Sequence, residues 1–145
     1  MLALLLVASA FAAPADDGTF RGRTSQDFKT RVTYKDGQVQ FILVPWRAKR
    51  CTPRDGYSIT FFRWNYQNTE KGPIEQRADG RRFHDSGRVV DKKRGSRAVV
   101  VAHLTGRFVG DNRIVGTQRI RVRSHDKYGD HRCVAKMRWS ARRVR

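Results

Sequence analysis

The stretch RIVGTQRIRVR, Arg113 to Arg123, decides the fold class. Ile114, Gly116, Gln118, Ile120 and Val122 share one parity, and Arg113, Val115, Thr117, Arg119, Arg121 and Arg123 share the other. Side chains of a strand alternate between faces, so this pattern reads as a half-buried strand with one wet side. After a polar loop, RCVAKMRWSARR (Arg132 to Arg143) repeats it. There Cys133, Ala135, Met137, Trp139 and Ala141 alternate with Val134, Lys136, Arg138, Ser140 and Arg142. Upstream, AVVVAHLTGRF (Ala98 to Phe108) is rich in β-branched residues and runs into a turn at Gly110, Asp111 and Asn112. Three antiparallel strands follow, with a wet face made largely of arginine and lysine.

The rest of the chain extends the same class. Phe28, Thr30, Val32 and Tyr34 alternate with Lys29, Arg31, Thr33 and Lys35, and Asp36-Gly37 is a tight hairpin turn. VQFILVPW, Val39 to Trp46, reads as a strand covered on both faces, with Pro45 near its end. YSITFFRWNY, Tyr57 to Tyr66, reads as one aromatic strand. Phe83 to Val90 is expected to carry a bulge or turn at His84–Gly87, and Lys92–Ser96 a turn. No stretch holds an apolar helical period with a cap. A chain of 145 residues is one domain by size. About eight short strands at regular spacing predict an antiparallel β-sandwich or jelly-roll-like fold.

The amino terminus is different in kind. LALLLVASAF, Leu2 to Phe11, is apolar or small, and Ala12, Ala13 and Ala15 follow. This is the pattern of a secretory signal peptide over residues 1–15, with cleavage after Ala12 or after Ala15, leaving 16–145 as a single all-β domain. The run is too short for a membrane helix, which needs roughly 20 residues. Export to the cell exterior, periplasm or envelope places the two cysteines, Cys51 and Cys133, in an oxidising compartment, where an isolated pair bridges.

The formal charge is +18, from 31 Lys and Arg against 13 Asp and Glu, and arginine outnumbers lysine 23 to 8. Guanidinium is a planar fork suited to phosphate, sulfate and carboxylate. Arg119, Arg121 and Arg123 point one way from one strand, and Lys136, Arg138 and Arg142 do so from the next. These six are the candidate anion-binding residues. If the strands pair with their faces kept apart, like charges lie opposite one another, which destabilises a sheet. Either the strands are not neighbours, or an external polyanion neutralises the face. An anionic polysaccharide or an envelope phosphate polymer is the expected partner of a monomeric protein. Nonspecific nucleic-acid binding in vitro is expected at this charge. Phe62, Trp64 and Tyr66, of one parity, are candidates for stacking on a ligand ring, against the plainer expectation that they fill the core.

Catalytic chemistry finds little support. Asp17, Asp36, Asp55, Asp79, Asp85 and Asp111 sit near Gly or Asn, where Asx side chains bond their own turns. Glu70 and Glu75 are the only glutamates, which leaves few acids for a paired-carboxylate glycosidase. There is no nucleophile elbow, Walker loop or dinucleotide fingerprint. HDKYGDH, His125 to His131, is nearly mirror-symmetric about Tyr128 and could bring two imidazoles together with Asp126 and Asp130 as a zinc set. A mirror-symmetric hairpin would place Arg121 opposite Ala135 and Arg123 opposite Cys133, mixing basic and apolar faces, and register resists that. No catalytic residue, metal or cofactor is therefore assigned.

Gly22-Arg23-Thr24-Ser25-Gln26, Cys51, Gly106-Arg107-Phe108 with Gly116-Thr117, and Cys133 followed by Trp139-Ser140-Ala141-Arg142-Arg143 together make a pattern. In it the chain resembles a family of small secreted β-domains of bacteria, actinobacteria especially, that has no assigned activity. The resemblance implies an all-β fold and secretion, and brings no site residues with it. The expected function is a non-enzymatic binding or structural module of the cell envelope that recognises anionic polymers. A carbohydrate-active hydrolase is the alternative, and a cationic secreted effector the third reading.

Overall fold

The computed structural model describes residues 16–70 and 72–145, so the expected signal peptide lies outside the described residues. Among the described residues there are twelve strands: β1 (Gly18–Thr24), β2 (Lys29–Lys35), β3 (Gln38–Leu43), β4 (Trp46–Ala48), β5 (Arg50–Thr52), β6 (Ile59–Phe61), β7 (Asn65–Gln67), β8 (Glu75–Gln76), β9 (Arg82–Lys93), β10 (Ser96–Val109), β11 (Arg113–Asp126) and β12 (Gly129–Arg143). The fold is all-β and antiparallel, as the alternation predicts. The strand count exceeds the expected eight or so because the middle of the chain is cut into short pieces.

Ten strands form one curled sheet with the order β7-β3-β2-β1-β12-β11-β10-β9-β8, and β5 pairs with β12 off this path. β4 and β6 make a separate two-stranded sheet. The curl packs one end of the large sheet over the other. The rings of Trp64 and Tyr66, around β7, lie within van der Waals reach of where a side chain on Gly87 of β9 would begin. Gln76 of β8 reaches β3 as well, accepting a hydrogen bond from the Val39 amide at 2.9 Å.

The core is the inner face of this curl. Phe20, Val32, Ile42, Val100, Leu104, Ile114, Ile120 and Met137 are buried there. Phe108 is at its centre, packed edge-on against Phe20, Tyr34 and Phe83 at centroid distances of 5.8, 5.1 and 6.1 Å. Gly106 and Gly116 are directly opposed on β10 and β11. A Cβ on Gly106 would overlap the Phe83 ring, and one on Gly116 would overlap Trp139. Two large rings thus occupy the space that two glycines leave, an arrangement that lets a sheet coil tightly.

Three local expectations are corrected. VQFILVPW is not one strand: β3 ends at Leu43 and β4 starts at Trp46, with Pro45 between them. Proline cannot donate to the ladder, so pairing stops there. Within β3 the register against β2 shifts by one residue, which turns both Val39 and Ile42 inward. YSITFFRWNY is broken between β6 and β7, and the chain turns at Phe62 and Arg63. β9, by contrast, runs unbroken through His84–Gly87, held by continuous register with β10.

Candidate anion-binding face

The expected parities hold along the two strands that decide the fold. Arg119, Arg121, Arg123, Lys136, Arg138 and Arg142 are all exposed, and Ile114, Gln118, Ile120, Val122, Cys133, Ala135, Met137, Trp139 and Ala141 are buried. The β11–β12 hairpin turns through Lys127 and Tyr128, with Asp126 opposite Gly129. This asymmetric turn puts Ile120 opposite Ala135 and Val122 opposite Cys133, so the two faces stay separate. It also places His125 on the exposed side and His131 inside, so the two imidazoles do not converge.

Keeping the faces separate forces like charges together. Arg119 lies opposite Lys136, Arg123 opposite Arg132, and Arg113 opposite Arg142. Arg142 in turn faces Arg21 on β1, and Arg21 faces Arg31 on β2. Arg113, Arg142, Arg21 and Arg31 thus stand side by side on four neighbouring strands, all exposed. Adjacent strands are about 4.7–4.9 Å apart, so the row advances one guanidinium per strand spacing.

Carboxylates do not balance this face. Asp130 is the only acid among the outward positions of β1, β2 and β9–β12, and it pairs with His125 at 2.6 Å. Asp85 and Asp91 of β9 lie opposite Leu104 and Ala98, on the inner side. Burial raises the Asp85 carboxyl above its usual range, partly opposed by the Ser86 amide that donates to it. Arg23 holds Asp27 at 2.9 Å, at the rim beyond β1. Arg107, Arg113, Arg119, Arg121, Arg123, Arg138 and Arg142 have no carboxylate within ion-pair distance among the described residues.

The face carries a groove of about 680 Å³ where β10, β11, β12 and β1 run together. Arg107, Val115, Ser140 and Arg23 form one cross-strand row through it. Thr105, Thr117 and Arg138 form the next, continued by Ser25, whose Oγ accepts a hydrogen bond from the Arg138 amide at 3.1 Å. The Thr105 and Thr117 hydroxyls are bonded to each other at 2.8 Å. Arg23, Arg107, Arg113 and Arg138 surround this floor. No known protein family, curated protein or solved structure gives a significant match to the chain.

The candidate stacking residues do not share a surface. Trp64 and Tyr66 are core residues, and only Phe62 is exposed, at 64%, edge-on to Phe28 at 5.7 Å. Tyr66 accepts a hydrogen bond from the Gln118 side chain at 3.0 Å, and burial pushes its phenol up to about 12. The turn at Phe62 and Arg63 is what separates them.

A second polar cluster closes the opposite end of the β11–β12 hairpin. Cys51 and Cys133 are directly opposed and disulfide-bonded. Beyond them His131 Nε2 meets Asp55 Oδ2 at 2.7 Å. The Tyr57 ring stacks on the imidazole at 3.8 Å, and its hydroxyl donates to Asp126 at 3.2 Å. The His131 contact first, and the Tyr57 amide second, hold the Asp55 carboxyl below the usual carboxylate range. Ser124 stands opposite His131, but among the described residues neither its Oγ nor His131 Nδ1, both buried, has a hydrogen-bond partner. Aspartate, histidine and serine are thus neighbours here, yet His131 is only 2% exposed beneath Tyr57. The arrangement clamps the loop after β5 to the hairpin. Sequence reasoning missed it because Asp55 and His131 are 76 residues apart.

Proposed function

We propose that the protein is an exported, non-enzymatic binding module that holds an anionic polymer of the cell envelope against the outward face of β1 and β9–β12. One observation carries this reading: arginines and lysines sit directly opposite one another across neighbouring strands, with almost no acid among them. Like charges opposed in a ladder cost stability. A polyanion laid across the strands offsets that cost and gains bidentate contacts. Export is supported by the apolar leader and by the Cys51–Cys133 bridge, which suits an oxidising compartment. No helix among the described residues is long and apolar enough to cross a membrane. The resemblance of the sequence to small secreted bacterial β-domains is compatible with the same reading, although no known protein family matches the chain.

The test is binding of heparin and of isolated envelope polymers at low and high salt. Affinity is expected to fall steeply with salt, because exposed charges are screened within about 8–10 Å at 0.1–0.15 M. Arg119, Arg121 and Arg138 changed together to Gln should weaken binding without lowering the melting temperature. Undiminished binding by this triple variant would assign the affinity to diffuse charge and defeat the proposal for the face.

A further inference from the structure

We infer that the groove between Arg23, Arg107, Arg113 and Arg138 is the selective site within the basic face, and that it takes an acidic glycan segment in preference to a continuous chain of phosphates. The inference rests on the proposed role of the face, and adds to it a location and a ligand class.

The arrangement of charge carries it. Arg107 and Arg23 end one cross-strand row, separated by Val115 and Ser140. Three strand spacings put their backbones about 14 Å apart. Arg113 lies two residues from Val115 on β11, and Arg138 two residues from Ser140 on β12, on opposite sides of that row. The four guanidinium-bearing positions therefore mark the ends of a cross. Its centre is neutral: Val115, Ser140 and the Thr105–Thr117 hydroxyl pair. The floor is low because the outward residues at its centre, Thr105, Val115, Thr117 and Ser140, are small.

A ligand complementary to this site has acidic groups held apart by a neutral, hydroxyl-bearing body with an apolar side. A sugar ring bearing sulfate or carboxylate substituents has that form. Its hydroxyls exchange hydrogen bonds with Ser140 and the two threonines, its ring edge covers Val115, and its acidic groups reach Arg107, Arg113 and Arg138 as charge-assisted pairs, while Arg23, held by Asp27, bounds the fourth side. Polyphosphate has charge at every unit, so it would lay phosphates over Val115 with nothing to meet them. The Arg113–Arg142–Arg21–Arg31 row along one side suits a uniformly charged chain better. Specificity of this kind comes from placing partners where one ligand needs them and withholding them where another would.

The experiment compares a sulfated heparin hexasaccharide with inorganic polyphosphate of matched charge at two salt concentrations. The variants are Arg107→Gln with Arg113→Gln in the groove, Arg119→Gln with Arg121→Gln outside it, and Val115→Phe. The last fills the groove without changing charge. The groove pair should weaken hexasaccharide binding at least about tenfold, the scale of losing charge-assisted hydrogen bonds, and the outside pair should do much less. Val115→Phe should weaken the hexasaccharide and leave polyphosphate unchanged. Equal losses from the two pairs, with Val115→Phe silent, would overturn the groove and leave the basic face standing. Equal sensitivity of polyphosphate to Val115→Phe would overturn the glycan assignment. Failure of wild type to bind either probe at low salt would overturn the reading of the face itself. Melting curves on all three variants check that each is folded.

Discussion

The four long strands β9–β12 and the segment from Val44 to Arg81 are made of the same kinds of residue and behave differently. β10, β11 and β12 run 14, 14 and 15 residues in continuous register. In them every other residue is committed to the core, so local pattern and tertiary burial agree. The Val44–Arg81 segment holds β4–β8, none longer than three residues. It is held by aromatic packing and by a few long-range contacts. Trp46 stacks on Phe61 at 4.9 Å and meets Trp64 edge-on at 5.8 Å. Regular pairing builds the face, and irregular chain covers the inner side of the curl. Stability of the second should depend on single large side chains more than stability of the first.

The largest expected effect tests that contrast. Trp46 is fully buried at the meeting of Phe61 and Trp64. Trp46→Ala should cost about 3–5 kcal/mol, the range for truncating a buried aromatic. Ile120→Val, one methyl from the core of the regular strands, should cost about 0.5–1.5 kcal/mol. Urea unfolding of both would reverse the comparison if the isoleucine change proved the costlier.

Next comes the covalent link between the two regions. Cys51 and Cys133 are 82 positions apart and tie β5 to β12. Cys51→Ser should cost roughly 2–5 kcal/mol, because opening a long loop restores conformational freedom to the unfolded chain. Cys51 and Cys133 should resist alkylation in native protein until their bond is reduced. A melting temperature equal to that of wild type would show that the non-covalent contacts of the Val44–Arg81 segment suffice to seat it.

How far the sequence was legible follows the same division. Ile114 to Val122 and Cys133 to Ala141 could be assigned to the core from alternation alone, because a two-residue period leaves one solution per strand. The asymmetry of the turn between β11 and β12 was legible too, since the mirror register would have mixed arginine with the apolar face, but its place at Lys127–Tyr128 was not. Trp64 and Tyr66 were not separable from Phe62, because parity means nothing across a turn that the sequence does not mark. Of the four groove arginines, the sequence marks only Arg138 as a candidate anion-binding residue. Arg23, Arg107 and Arg113 come from three other strands, and only the sheet order brings them together. A trace existed in the pair Gly106 and Gly116, each in the middle of an otherwise β-branched or charged strand, which marks a close approach. Asp55 was read as a turn residue, which accounts for its bond to the Tyr57 amide and not for His131.

That clamp gives a pH effect. Hydrogen bonds from His131 and Tyr57 lower the Asp55 carboxyl below its unfolded value of about 3.9. A carboxyl depressed in the folded state stabilises the fold above its unfolded value. That contribution is lost as pH falls through the depressed value. Wild type should therefore lose stability on acidification below about pH 4, and Asp55→Asn should lose less over the same window while starting lower at pH 7. Parallel melting-temperature profiles for the two proteins would mean that the clamp does not feel acid through Asp55.

The smallest expected effect bears most directly on function. Arg119 and Lys136 are opposed on β11 and β12, exposed, and without a carboxylate partner among the described residues. Lys136→Glu converts a repulsive pair into an attractive one, worth about 0.2–1 kcal/mol in a sheet. The variant should melt higher than wild type at low salt and converge with it as salt screens both. Polyanion binding should move the other way, since the substitution removes one cation and puts an anion in the path of the ligand. A protein selected for stability alone would carry an acid at this position already. Higher melting with weaker binding would show that the repulsion is retained for the ligand. Lower melting with unchanged binding would mean that the opposed cations are merely solvated, and that the face owes its charge to composition.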